Sequence, residues 1–330
     1  MSRVVAIFFL LGISNIFSQH TFSIVAVDTL TGEIGSAGAT CGDSIIWPGT
    51  AGAYIISDIL PGVGAIHTQA LWTASNQVNA RVQMQQGGSP NQIISWLVAH
   101  DVQNNPQSRQ YGVVDYHNGS SRSAAFTGTS CFDYKNHILG PNYAIQGNIL
   151  LGQQILDSME YYFLNTSGCL PEKLMAAMNG AKVVGADTRC MVEGTSSLSA
   201  FLRMALPTDS YNNLFLDINV AGTAPNVEPI DILKTKYNLW KNSHISYCDS
   251  VSNSKITTRK EIEIHPNPTN DLITISNIEE AKSIELFSLN GQFLETVKSN
   301  TVSLRNYSKG IYILKVTFED SVKEIKVIKN

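Results

Sequence analysis

Acyl-transfer chemistry needs a nucleophile, a base beside it and donors for the developing oxyanion. Side chains of those kinds occur well before the C-terminal third of this sequence. Thr21 offers a hydroxyl at the start of a strand-like run, and such a hydroxyl is a poor nucleophile until a base adjoins it. Gln69 and Asn148 are amides in strand-like surroundings and can donate to an oxyanion. Asp187 and Arg189, in Gly185-Ala186-Asp187-Thr188-Arg189, can orient an amine or bind a carboxylate. His67 is a titratable group between apolar neighbours.

Each has an ordinary structural reading beside the functional one. Thr21 is also a β-branched strand residue, and Asp187–Arg189 is also an ion pair. Gln69, Gln146 and Asn148 also suit backbone partners in a crowded sheet, and His67 a satisfied core histidine. GxSxG, HExxH and Walker loops are absent, so the common serine-hydrolase, zinc-protease and NTPase readings have no motif support.

The elements that must position these residues are legible as alternating strands and helices. Residues 21–27 and 33–40 read as strands around the turn Asp28-Thr29-Leu30-Thr31-Gly32, and 64–71 as a third. Helices follow over about 74–86 and from Ser89-Pro90-Asn91-Gln92, a capping box with proline at the first helical position. A hairpin spans 110–116 and 121–127 around Asn118-Gly119, and 143–150 is another strand. Helices over about 152–164 and 171–181 precede strands over 196–204 and 213–220. Strands, two helices, strands, two helices, strands pack most economically as two face-to-face sheets with helices outside. The expected fold class is α+β, a four-layer αββα sandwich followed by a small all-β sandwich.

Five stretches match one family in order: Thr21-Phe22-Ser23-Ile24-Val25-Ala26, Gly64-Ala65-Ile66-His67-Thr68-Gln69-Ala70, Gly112-Val113-Val114-Asp115, Ala125-Phe126-Thr127-Gly128 and Ala144-Ile145-Gln146-Gly147-Asn148-Ile149-Leu150. They resemble the DUF1028 family, which is grouped with the N-terminal nucleophile (Ntn) hydrolases. The resemblance implies an amide hydrolase whose first residue supplies both nucleophile and α-amine base. It points to Thr21, Asn148 and Asp187 as catalytic residues, with His67, Gln69, Thr127, Gln146 and Arg189 holding a small amide or peptide-like substrate. No cofactor and no metal are expected. The alternative is a non-catalytic member that binds a small ligand or acts as a scaffold at the cell surface.

One departure bears on that role. Signal cleavage after Ser18 or Gln19 exposes Gln19 or His20, so a second trimming step is needed to free Thr21. Lys135 is the first lysine in the chain, so none is available near the early strands to assist.

Composition shifts near residue 255. Residues 256–330 hold 20 of the 50 charged residues, while all four tryptophans, all five cysteines and 22 of the 24 glycines come earlier. Two units of unlike surface chemistry follow from that contrast, joined by the polar, unpatterned stretch 249–261. The tail reads as short strands and turns, with Asn290-Gly291 as a hairpin signal. Its runs Ile264-His265-Pro266-Asn267-Pro268-Thr269-Asn270, Ile284-Glu285-Leu286-Phe287-Ser288-Leu289-Asn290-Gly291 and Gly310-Ile311-Tyr312-Ile313-Leu314-Lys315-Val316 resemble the C-terminal sorting domain of the type IX (Por) secretion system. That implies a Bacteroidetes-type bacterium, Sec export, and a type IX machinery contacting residues 262–330, with the cargo secreted or held at the outer-membrane surface. A plain adhesive or carbohydrate-binding sandwich is the alternative.

The domain plan is therefore a signal peptide over 1–19, an Ntn-hydrolase-like domain over 20–248, a linker over 249–261 and the sorting domain over 262–330. Arg3, the apolar run 4–11 and small Ser18 suit a secretory signal, and the run is too short to span a bilayer. With 23 basic and 27 acidic residues, net −4, there is no electrostatic footprint for nucleic acid and no polybasic patch for anionic lipid. No later stretch is apolar enough to cross a membrane, and a homo-oligomer is allowed. None of the five cysteines has CxxC spacing, so zinc is unsupported. Export permits disulfides, Cys169–Cys190 being one pairing and buried free thiols the other reading.

Overall fold

A computed structural model describes residues 18–19, 21–44, 51–245, 247–248, 262–278, 281–318 and 322–330. Residues 1–17 of the expected signal peptide and the whole expected linker, 249–261, lie outside the described residues. The chain divides into two compact units, Met1–Ser252 and Asn253–Asn330.

In chain order the first unit comprises β1 (Ser18–Gln19), β2 (Thr21–Val27), β3 (Ile34–Thr40), β4 (Ser57–Leu60), β5 (Gly64–Leu71), α1 (Ala74–Gln85), α2 (Pro90–Ala99), β6 (Arg109–His117), β7 (Ser120–Thr127), β8 (Asn136–Gly140), β9 (Tyr143–Gly147), α3 (Gln153–Asn165), α4 (Leu170–Gly180), β10 (Ser199–Ala205), β11 (Leu216–Val220) and α5 (Pro229–Ser243). One sheet has the order β1-β5-β6-β7, with β4 also on the β5 edge; the other runs β11-β10-β3-β2-β9-β8. Every pairing among these strands is antiparallel.

Strand side chains alternate between faces, and the core shows it. In β2, Phe22, Ile24 and Ala26 join a cluster with Leu156, Met159 and Phe163 of α3, Leu174 and Met178 of α4, and Leu233 of α5. The opposite face of β2 sends Val25 and Val27 into a separate cluster with Ile59, Ala65, Val114 and Ala144, contributed by both sheets. On the first sheet, Ile66, Tyr111 and Val113 meet Ala80 and Met84 of α1 and Ile93 and Leu97 of α2. The capping box forms, Ser89 N–H reaching Gln92 Oε1 at 2.9 Å.

Several expectations need correcting. Cys41 pairs with Cys190 and Cys169 with Cys248, not Cys169 with Cys190; Cys131 is the one buried free thiol. Strand β9 stops at Gly147 rather than Leu150, because Ile149 adopts the left-handed conformation (φ 54°). Strands β4 and β8 and helix α5 were not anticipated.

The second unit holds β12 (Glu263–His265), β13 (Leu272–Ser276), β14 (Ser283–Ser288), β15 (Phe293–Thr296), β16 (Thr301–Ser303), β17 (Gly310–Thr317) and β18 (Val322–Lys329). They form sheets β12-β13-β16 and β15-β14-β17-β18 around Ile273, Ile275, Leu286, Leu314 and Val316. The turn at Asn290-Gly291 has only Gly291 at positive φ (80°), and the β14–β15 register shifts beside it. At Asn118-Gly119, by contrast, both residues are left-handed (52° and 78°), as a tight two-residue hairpin requires.

Candidate functional site

The period-two alternation that sends Val25 and Val27 between the sheets also sends Thr21 and Ser23 there. The same holds on the neighbouring strands. Each carries an apolar residue toward one end of the inter-sheet space and a polar one toward the other: Ala65 then His67 and Gln69 on β5, Val114 then Gln110 on β6, Ala144 then Gln146 on β9, Ile34 then Ser36 on β3, Ile59 then Ser57 on β4. All of these polar side chains are buried. Gly112 lies between Val114 and Gln110, where a Cβ would sit 1.9 Å from Gln146 Oε1.

Buried polar groups are costly without partners, and apart from the Thr21 Oγ1 and Gln146 Oε1 atoms, which have none among the described residues, these join in one chain. Arg203 Nη1 donates to Ser57 Oγ at 3.2 Å, and the Ser57 and Ser36 hydroxyls are 2.7 Å apart. Ser36 Oγ lies 2.6 Å from His67 Nε2, and His67 Nδ1 lies 2.9 Å from Ser23 Oγ. Ser23 donates to Gln69 Oε1 at 2.7 Å, and Gln69 Nε2 donates to Gln110 Oε1 at 2.7 Å and to the Thr21 carbonyl at 3.3 Å. Gln110 Nε2 ends the chain on Thr127 Oγ1 and the Gly147 carbonyl, both at 2.9 Å.

Ser23 gives its single proton to Gln69 Oε1, so toward His67 it can only accept. The hydrogen-bond network then assigns the His67 proton to Nδ1, with Nε2 accepting from Ser36. Gln146 Nε2 donates to Ser23 Oγ at 2.6 Å, so Ser23 accepts twice and donates once. Burial, reinforced by the Arg203 charge, drives the His67 pKa down to about 3, which keeps the ring neutral.

Thr21 opens β2 and is fully buried, and its Oγ1 has no hydrogen-bond partner among the described residues. Its carbonyl accepts from the Asn148 backbone N–H at 3.1 Å as well as from Gln69. Asn148 Nδ2 and Gln69 Nε2 converge on a single oxygen, Gln110 Oε1, at 2.9 and 2.7 Å. Two amide donors aimed at one oxygen is the geometry that stabilises an oxyanion; here Gln110 occupies it.

Thr40, directly opposite Thr21 in the β2–β3 ladder, accepts from Arg189 Nη2 at 3.2 Å. Arg189 in turn pairs with Asp187 Oδ2 at 2.6 Å, and Asp187 Oδ2 also accepts the Cys41 N–H at 2.9 Å. The Cys41–Cys190 disulfide ties the end of β3 to the loop carrying both residues.

Backbone strain gathers at the same end. Among the described residues, the positive-φ positions that are neither glycine nor asparagine are Ala70 (69°) and Ile149 (54°). Each directly follows a candidate amide, Gln69 or Asn148. The left-handed region is unfavourable for a β-branched residue and persists where surroundings hold it. Ile149 is held on both sides: its N–H donates to the Phe132 carbonyl and its own carbonyl accepts from Thr188 N–H.

The structure thus gathers Thr21, His67, Gln69, Thr127, Gln146 and Asn148 into one inter-sheet cluster, Thr127 entering through Gln110. Arg189 reaches Thr40, the ladder partner of Thr21, and Asp187 holds Arg189. His67, Gln69 and Gln146 are enclosed in the network and not on an open surface. Gln110, Ser36, Ser57 and Arg203 were missed. Their signal was a polar residue at an inward position of an otherwise apolar alternating strand. Among the described residues the one group of potential metal ligands is Cys169, Glu172 and Cys248, whose two sulfurs are joined to each other.

The chain belongs to the DUF1028 family, whose model, described as a family of unknown function, matches residues 21–228. Residues 263–330 match the secretion system C-terminal sorting domain, which indicates export. The crystal structure of a DUF1028 protein from Silicibacter pomeroyi is similar, with a TM-score of 0.54 at 21% identity, covering 71% of this chain and 94% of that one. At that identity the likeness bears on the fold alone. No curated protein matches the chain. No helix among the described residues is long and apolar enough to cross a membrane.

Proposed function

We propose that this chain is an exported amide hydrolase of the Ntn type, with Thr21 as nucleophile and a small amide or peptide-like substrate. The observation that carries the reading is the unpartnered, fully buried Thr21 hydroxyl at the start of β2, among buried amide donors. The layering of α1 and α2, two sheets, and α3 to α5 supports the αββα reading. After removal of the residues before Thr21, its α-amine takes the hydroxyl proton, directly or through water, as Oγ1 attacks the substrate carbonyl. The departing amine receives that proton, leaving an ester on Thr21. Water, deprotonated by the same amine, then releases the acid and restores the hydroxyl. Asn148 and Gln69 donate to the oxyanion once substrate oxygen replaces Gln110 Oε1 as their acceptor, and Asp187 with Arg189 orients the Thr40–Thr21 edge.

N-terminal sequencing of the secreted protein, with amidase assays on Thr21→Ala, tests this. A mature chain starting at Thr21 whose activity vanishes in Thr21→Ala supports the reading. A mature chain starting at Gln19 or His20, with activity surviving the substitution, sinks it in favour of a ligand-binding or scaffold role. Export through a type IX machinery, with residues 1–19 as the Sec signal, is the companion proposal. Deleting 262–330 should strand the protein in the periplasm, and normal extracellular levels would contradict it.

A further inference from the structure

Strand β5 has a divided outer edge. β4 covers it over Gly64–His67, pairing Ser57 with His67 and Leu60 with Gly64. Farther along, β1 takes over, pairing Gln19 with Ala70 and Ser18 with Leu71. The chain then changes sheets: β1 belongs with β5, while β2, starting at Thr21, belongs with β3 and β9. One residue separates the paired Gln19 from Thr21. The stretch laddered to β5 therefore ends one residue short of the candidate nucleophile, which opens a strand of the other sheet.

We propose that the Ala70–Leu71 edge of β5 is the substrate-docking strand, and that the substrate is a peptide extended on its acyl side. This rests on the hydrolase reading above. Removing the residues before Thr21 does two things at once. It frees the α-amine, and it removes the backbone pairing that Ser18 and Gln19 make with Leu71 and Ala70. An extended peptide that adds itself as a strand restores those bonds. The register follows from the chain's own segment. The substrate residue whose carbonyl Thr21 attacks takes the place of residue 20, the one before it faces Ala70, and the one before that faces Leu71. Three acyl-side residues fill the site, and a single-residue amide leaves the edge bare. Ala70 itself is held at φ 69° with its carbonyl accepting from Trp72 N–H at 2.9 Å, so the edge is a shaped one ending in a turn.

The test uses the chain from Thr21 to Asn330, released by a site-specific protease and carrying Thr21→Ala so that no turnover occurs. The probe is the acetylated, amidated tripeptide Ser-Gln-His, copied from residues 18–20. It should bind this chain at least about tenfold tighter than the full-length chain, whose edge is already filled. Directly opposed residues alternate between bonded and non-bonded pairs. Methylating the backbone nitrogen of either Ser or Gln should therefore cost about tenfold or more for one position and little for the other. Equal binding to both chains, no binding to either, or indifference to both methylations would overturn the proposal. With Thr21 restored, amidase activity that does not depend on acyl-side length would also overturn it while leaving the nucleophile standing. Retained tripeptide binding with no hydrolysis at all would instead remove the hydrolase reading and leave the docking edge.

Discussion

The inter-sheet space of the first unit is built in two unlike halves by the same strands. At one end Val25, Val27, Ile34, Ile59, Ala65, Val114 and Ala144 close on one another. At the other, the same inward faces carry Ser23, Ser36, Ser57, His67, Gln69, Gln110 and Gln146. The apolar half is cohesive without direction, each side chain contributing by the area it removes from water. The polar half is cohesive only while every donor has its acceptor, so it behaves as a unit. An apolar filling would have been the simpler way to hold two sheets together. The contrast can be broken or sharpened by substitution in each half.

The largest effect belongs to Thr21→Ala. Amide hydrolysis by the processed chain should fall at least about 10³-fold, with thermal stability unchanged. A variant that melts early but stays active per folded molecule would make Thr21 a packing residue like those of the other half. Next is Ile34→Ala in the apolar half, which should cost about 2–5 kcal/mol in denaturant unfolding. Its kcat/KM per folded molecule should be unchanged; a clear loss there would mean the halves are not separable.

Ser23→Ala removes the hydroxyl that accepts from His67 and Gln146 and donates to Gln69. It should cost about 1–3 kcal/mol and lower hydrolysis too, since Gln69 loses its anchor. A change within about 0.5 kcal/mol would show that the chain of hydrogen bonds is not a unit. The last effect is read in acid alone, as a pH dependence. His67 has its pKa lowered to about 3 from an ordinary 6.5. The unfolded chain therefore binds the proton more readily. The stability this neutral ring contributes is whole above the unfolded value and drains away as pH falls toward the folded one. The loss should be about 1.4 kcal/mol for each pH unit in that window. His67→Gln should flatten this acid limb, and an unaltered limb would assign the slope to other groups, the half-buried His137 among them.

Local signals were readable where short-range physics decides. The Ser89–Gln92 capping box and the Asn118-Gly119 hairpin formed as expected. Helix α5 was readable in principle: Pro229 stands at its first turn, with Ile230, Leu233 and Tyr237 buried at helical spacing. Strand β4 was not, because Ser57-Asp58-Ile59-Leu60 has no pattern of its own and becomes a strand only against β5. Of the residues singled out for their chemistry, Thr21, His67, Gln69, Thr127, Gln146 and Asn148 lie in one cluster and Asp187 and Arg189 beside it, and several of their partners were overlooked. Gln110 sits in a strand that reads as ordinary, and only its position opposite Gln69 makes it the acceptor of two amides.

By itself, the sequence determined the division near residue 255, the strand periodicity that faces Thr21, His67, Gln69 and Gln146 one way, and the motifs of the two families. Those features depend on composition, or on residues within one or two turns of each other. Tertiary structure decided which inward residues meet. Ser23 and Gln146 are 123 positions apart and Cys41 and Cys190 are 149 apart. No local propensity chooses between such partners, whereas the register of strands across two sheets does. It also decided that Ser18 and Gln19 pair with β5, in the other sheet from Thr21.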